Sequence, residues 1–520
     1  MSTSTLNSEE MQKLVTVVEE ASRSTEEGVK YFVEPAEGTL ARAISKRHHM
    51  VFGRRGSGKS SLLRKAQAEL TLERRPIAYV DLEAFKGHTY PDVLLSVLIG
   101  TFKGFAQWLH TAAINPATKT TFWRRLFGST PKKPAHNRKS CEQLCSRIQK
   151  LVNDLSWQLH SADDAQLELK STQEHGFSAK SEAGASVGTP NFSMRGKVGV
   201  KSSDRHSGEA RETYKRSKVD FLHTHIIDYQ DVFREMAEVS SGDAFLFLDD
   251  LYHIRRADQA NVIDYFHRIA KAGGFWLKVG TVRHRSTWYR QGDPPCGVKL
   301  GDDADEINLD LTLEKYPLAR TFLRSILTNF SDPLSLTPRS AFLTDDALDR
   351  LVLASGGVAR DFLTIFRLSV EQARQRGPSK RGGDKVCVED VNLAAGEHDG
   401  AKREEFTLDA GEDQKELDGA FSRIRDYCLE HTKANCFLLA KDSSGPEIDK
   451  IRELLDLKLL HLVRSRVTVS GRTGQIFEAY MLDVSQYAGT RKRRGLEEIQ
   501  FWKDDQKLRR ASLIFGPTDA

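Results

Sequence analysis

The chain has 520 residues, 39% hydrophobic and 29% charged, with no excess of glycine or proline. That is about three domains at roughly 150 residues each, which excludes a small binding module and a fibrous or wholly disordered chain. The balance of 77 basic to 72 acidic residues leaves only +5, so nucleic-acid contact would have to come from local clusters. The Met1–Asn7 start is polar and the chain reads as having no 18-residue apolar stretch, so a soluble, cytoplasmic protein without membrane contact is expected. With only Cys141 and Cys145 close together among six cysteines, reduced thiols are expected.

Residues 1–32 read as an N-terminal helix. The first chemistry follows at Gly53-Arg54-Arg55-Gly56-Ser57-Gly58-Lys59-Ser60, between the apolar run Met50-Val51-Phe52 and the helical Ser61-Leu62-Leu63. Strand, glycine loop and helix in that order make a phosphate cradle: successive backbone N–H groups converge on an anion and the helix N-terminus adds positive partial charge. Gly53 through Ser61 would contact a triphosphate, with Lys59 on its β- and γ-phosphates and Ser60 on Mg²⁺. A chance glycine/serine turn is the alternative, and the flanking strand and helix argue against it. ATP and Mg²⁺ are therefore the expected ligands.

A P-loop needs opposing carboxylates. Ala244-Phe245-Leu246-Phe247-Leu248-Asp249-Asp250 is an apolar run ending in acids, the pattern of a strand buried on both faces that delivers carboxylates at the carboxyl edge of a parallel sheet. Asp249 is expected to hold Mg²⁺ and Asp250 to polarise the attacking water. Further strands are expected at Ile77–Asp81, Phe275–Val279 and Ile307–Leu311, and past them a helical region in which Thr344 caps a helix leading to Gly357-Val358-Ala359-Arg360.

These residues carry a resemblance to the AAA+ ATPases, and within them to the origin-recognition/initiator group. The P-loop at 53–60, Asp249-Asp250 and the Gly-x-x-Arg at 357–360 carry it, over roughly residues 33–100 and 240–485. It implies a three-layer α/β P-loop (AAA+-type) parallel sheet, an α-helical lid and a C-terminal winged-helix-like domain. The implied divisions are 33–312 for the ATPase core with an insertion at about 115–215, 313–410 for the lid, 411–487 for the winged-helix-like domain and 488–520 for a basic tail. By the same resemblance Arg360 would reach the γ-phosphate from the lid as a third catalytic residue beside Lys59 and Asp250. Thr281 would be a first sensor, and Arg283 and Arg285 would be candidates for reaching a neighbouring subunit's nucleotide in a homo-oligomer. Members of the group usually carry Asp-Glu where this chain has Asp-Asp, which implies slow hydrolysis, and Asp-Asp is shared with STAND signalling ATPases. Lys59 and Asp249 also lie 190 residues apart, more than a compact crossover needs.

The insertion carries helical spacing at Leu144–Leu155 and Val219–Met236, with a flexible hairpin or a disordered loop read at 171–210. Just before the first of these helical stretches, residues 116–139 hold Lys119, Arg124, Arg125, Lys132 and Lys133 with Phe122 and Trp123 and no acid, either a DNA-binding patch or a solvated linker. In the winged-helix-like region the helix around Ile448–Leu459 has mixed charge, so DNA contact there would fall to Arg464, Arg466 and Arg472. The tail reads as an exposed arm. Two functions follow: an initiator-like ATPase acting on DNA, in replication of a mobile element or in anti-phage defence, or a STAND-like switch whose C-terminal domain binds an effector protein.

Overall fold

A computed structural model describes residues 5–21, 27–114, 136–181, 217–240, 242–271, 273–336, 339–377, 382–410, 414–488 and 495–516. Its main sheet has five parallel strands. β1 (His49–Phe52), β2 (Ile77–Asp81), β3 (Ala244–Asp249) and β4 (Phe275–Thr281) are followed by a two-residue ribbon of β5 (Tyr289–Arg290) and β6 (Cys296–Gly297) and then by β7 (Asp305–Asn308). The order across the sheet is β2-β3-β4-β1-β7. The register pairs Phe52 with both Thr281 and Asn308, and Asp81 with Asp249, so the residues that end these strands gather along one edge.

The acidic strand is apolar throughout because both its faces are covered. Phe245 and Phe247 enter the core beneath the helix Lys59–Leu72, while Ala244, Leu246 and Leu248 enter the opposite core beneath Asp92–Ile114 and Arg256–Ala270. A strand alternates its side chains between two faces, so two helical layers require an unbroken hydrophobic run. The helix Asp92–Ile114 contains a stretch long and apolar enough to cross a membrane by length and composition, contrary to the sequence expectation. Its apolarity has a packing cause: Val93, Leu94, Leu98, Phe102, Phe105 and Leu109 are all buried against β2 and the helix Arg138–Ser181.

The insertion helix Arg138–Ser181 runs past residue 171, so the start of the segment read as hairpin or loop is helical. The remainder of that segment and the basic residues Lys119, Arg124, Arg125, Lys132 and Lys133 lie outside the described residues. After the sheet, the lid helices Tyr316–Ser331, Asp345–Ala354, Ala359–Arg376 and Val388–Ala410 follow one another. Thr344 caps the second, its hydroxyl accepting from the Ala347 N–H at 3.2 Å. The C-terminal unit has the helices Gln414–Asp426 and Pro446–Asp456 and an antiparallel sheet of β8 (Cys436–Ala440), β9 (Leu460–Val467) and β10 (Phe477–Leu482), ordered β8-β10-β9. Helices with a β-hairpin wing make it winged-helix-like.

One continuous core runs from the N-terminal helix Glu9–Ala21 through the lid into this sheet. Within it, Lys402 on a lid helix pairs with Asp483 at 2.8 Å, His461 approaches the same carboxylate at 2.9 Å, and Lys458 pairs with Asp361 at 3.2 Å, all buried. The tail is not an exposed arm. Ile499, Phe501, Leu508, Leu513 and Phe515 are buried, and the Phe515 N–H donates to the Leu438 carbonyl at 2.8 Å. Its alternating charges form rim pairs such as Lys507 and Arg510 with Glu497, while its apolar residues extend the winged-helix core. The basic run 491–494 lies outside the described residues.

Candidate nucleotide site

The loop 54–58 leaves β1, between β4 and the edge strand β7, and enters the helix Lys59–Leu72. Gly56 has φ +85°, a left-handed conformation that glycine takes without strain, and a Cβ there would lie 2.8 Å from the Arg360 Cβ. The lid thus meets the loop at closest approach, and the Arg360 N–H donates to the Gly56 carbonyl at 3.2 Å.

Lys59 is buried, 4% exposed, and its Nζ donates to the carbonyls of Gly53 at 3.0 Å and Arg54 at 3.4 Å. Burial pushes its pKa down, and Asp250, Asp249 and Asp310 oppose that shift. The Ser57 hydroxyl is buried without a hydrogen-bond partner. A desolvated ammonium and an orphaned hydroxyl in one glycine loop suit an incoming polyanion, which would satisfy both.

Asp249 accepts from the Tyr79 hydroxyl at 2.5 Å and from the Asp250 N–H at 3.0 Å, which fixes its carboxylate. Asp250 follows with φ +55°, a conformation that Asp tolerates better than most residues and that turns its side chain away from the strand direction. Burial first and the Asp249 charge second push its carboxyl up to about 7, with Lys59 pulling the other way. A cavity of about 210 Å³ is lined by Arg55 through Ser61, Glu83, Asp250 and Arg360. Its other end is apolar, walled by Tyr31, Val33, Phe322, Phe330 and Leu363 from the N-terminal segment and the lid. The Tyr31 and Phe330 rings lie 4.6 Å apart. One end suits phosphates and the other a flat base.

Strand order, glycine loop, acidic strand end and lid now stand together. The fold is a three-layer α/β P-loop fold. No protein-family model matches the chain, and no curated protein does. Among solved structures it is similar to the Aeropyrum pernix Orc1 protein in complex with DNA, with 13% identity over 87% of this chain and 90% of that one and a TM-score of 0.31. It is also similar to Cdc6p from Pyrobaculum aerophilum (10% identity, 89% and 91% covered, TM-score 0.31) and to the Walker-type ATPase paby2304 of Pyrococcus abyssi (11% identity, 89% and 95% covered, TM-score 0.39). The P-loop fold stands on its own sheet order and loop.

The expected residues divide. Lys59, Asp250 and Arg360 converge on the cavity with Arg55, Gly56, Ser57, Gly58, Ser60 and Ser61. Asp249 stands behind Asp250, and both carboxylates bear on the Lys59 charge. Thr281 is fully buried and its hydroxyl meets Ser286 at 2.5 Å, so it faces its own loop rather than the cavity; its carbonyl receives the Gly53 N–H at 3.3 Å. The Arg54 side chain turns away towards Asp310 and the lid. Arg283 pairs with Glu306 and lies 4.1 Å from the centre of the Phe52 ring, and Arg285 lies 5.9 Å from the Tyr252 ring that also flanks Lys59, so both turn inward in this chain. Sequence reasoning missed Tyr79 and Glu83. Tyr79 alternates with Ala78 and Val80 on β2, a polar tip on a buried strand one place from the acidic one, and that was its available signal.

Proposed function

We propose that the chain is a Mg²⁺-dependent ATPase of the AAA+ initiator type, in which nucleotide state sets the lid against the sheet. The observation that carries this is the meeting of Lys59, Asp250 and Arg360 on one cavity with the glycine loop. The loop amides and Lys59 would bind the β- and γ-phosphates and hold them in line for attack. Ser60 and Asp249 would hold Mg²⁺, which neutralises phosphate charge when bound. Asp250 takes a proton from the attacking water, and Arg360 offers its guanidinium to the charge on the γ-phosphoryl oxygens. Hydrolysis removes the group that Arg360 touches, which frees the lid.

Action on DNA is the first reading of the output. Arg466 and Arg472 are exposed at the end of β9 and in the turn of the wing, where a phosphate backbone can reach them. Arg464 is less available, since it donates to the Glu314 carbonyl at 3.0 Å and lies 3.7 Å from Asp505. The STAND-like reading has its own support: the helix Pro446–Asp456, which would enter a major groove, is held on the ATPase core by Arg256–Glu453 at 3.4 Å and by the His284 N–H to Asp456 at 3.0 Å. Salt dependence separates the two. An initiator binds duplex DNA with an affinity that falls linearly with salt on logarithmic axes, and Arg466→Ala with Arg472→Ala lowers that slope by about 2. Replacing Lys119, Arg124, Arg125, Lys132 and Lys133 lowers it further. Absence of salt-dependent binding would instead favour the protein-binding switch.

A further inference from the structure

The sheet edge, the lid and the winged-helix-like domain meet at one buried side chain that does not face the nucleotide cavity. Arg54 is 6% exposed, and its backbone N–H and its Nε both donate to Asp310 Oδ1, at 2.9 and 3.1 Å. One Nη donates to the Gly356 carbonyl at 2.9 Å. Asp310 lies just past β7, and Gly356 lies in the loop that opens the lid helix Ala359–Arg376. The second residue of that helix is Arg360, whose N–H is bonded to Gly56. A single guanidinium therefore links the phosphate loop to the lid just before the residue that reaches the phosphates.

The C-terminal domain presses on the same residues. The His461 ring packs on Gly356, which has φ +57°, so closely that a Cβ would collide with it. His461 is itself held by Asp483, and Asp483 by Lys402. At the end of the helix Pro446–Asp456, the Asp456 carboxylate is buried with Asp310, Arg54 and Arg285 as its charged neighbours. One acceptor of Arg54 is thus packed by His461, and the other faces Asp456.

We propose that Arg54 is the positioning residue through which the docked C-terminal domain sets the place of Arg360 over the phosphate loop. The proposal rests on the ATP-site reading above. A planar fork bonded to acceptors on two elements fixes their separation, and a lysine ammonium cannot reproduce that geometry. Undocking the domain removes His461 from Gly356 and Asp456 from Asp310, which frees both acceptors. Lys59 bonds to the Gly53 and Arg54 carbonyls rather than to Asp310 or Gly356, and of the loop amides only that of Arg54 donates to Asp310, so the change falls on turnover rather than on nucleotide affinity.

The test is a double-mutant cycle on the full chain, with Mg-ATP affinity and turnover measured separately. Arg54→Lys and Asp456→Ala are each expected to leave the Kd for Mg-ATP within about threefold of wild type and to lower kcat about tenfold, and the double variant should lose no more than either single one. Should Arg54→Lys fold poorly, Asp310→Asn, which keeps an acceptor but removes the charge, replaces it in the cycle. Additive losses, or a raised KM with kcat unchanged, overturn the proposal while leaving the ATP site standing. If the folded wild type binds no Mg-ATP, the ATP-site reading fails and this proposal with it.

Discussion

Asp250→Asn is expected to bind Mg-ATP within a few-fold of wild type and to hydrolyse it at least about a hundredfold more slowly, the usual cost of losing a positioned general base. Asparagine keeps the size and the left-handed backbone preference of Asp250 but cannot accept the proton of the attacking water. The same carboxyl supplies a pH signature. Its pKa stands above the ordinary carboxylate value, at about 7, because burial and the neighbouring Asp249 charge disfavour the anion. Only the anion accepts a proton, so kcat/KM should rise as pH increases through about 7 and fall below it. Asp250→Asn should flatten that limb. Phosphate release measured from about pH 5.5 to 8.5 reads both, and normal turnover by Asp250→Asn would remove Asp250 from the mechanism.

The second large effect is on stability. Asp483 lies 2.8 Å from Lys402 and 2.9 Å from His461, with all three side chains almost fully buried between the lid and the winged-helix-like sheet. Those partners hold its carboxyl well below the usual range despite burial. Asp483→Ala leaves the Lys402 ammonium in the core without its counter-charge, and truncating one partner of a buried pair costs about 3–5 kcal/mol. Removing both charges together, as Lys402→Met with Asp483→Leu, should recover most of that loss, because the expense lies in the orphaned charge rather than in the missing attraction. Denaturant midpoints of the single and double variants decide it: equal losses in both would mean that shape, not charge, sets the cost.

The phosphate loop is legible from sequence because its chemistry is local. Backbone amides can surround a phosphate only if glycines and the helix start follow the strand directly, so residues 53–60 carry the whole signal. The acidic strand is legible for a related reason: burial on two faces forces Ala244 to Leu248 to be apolar, and the acids mark where cover ends. What could not be read depends on residues far apart in the chain. Tyr79 and Asp249 are 170 positions apart, and only the pairing of β2 with β3 brings them together. Thr281 stands at the strand end where a sensor is expected, yet its hydroxyl is taken by Ser286, a loop contact without periodic trace. The tail misled because Phe501 and Trp502 sit among alternating charges, and a charged sequence reads as exposed until a neighbouring sheet covers its apolar members. The helix Pro446–Asp456 shows mixed charge in sequence; in the structure Asp456 and Glu453 meet the ATPase core, so part of that charge serves docking.

In the function proposed above, a glycine loop and two distant carboxylates form one ATP site. The most direct measurement is equilibrium titration of wild type and Lys59→Ala with Mg-ATP, with circular dichroism showing both to be folded. Wild type should bind one nucleotide per chain, and Lys59→Ala should bind at least about a hundredfold more weakly, since the buried ammonium is held inside the glycine loop, where it is placed for the β- and γ-phosphates. Equal affinity in the two proteins, or no binding by folded wild type, would contradict the account.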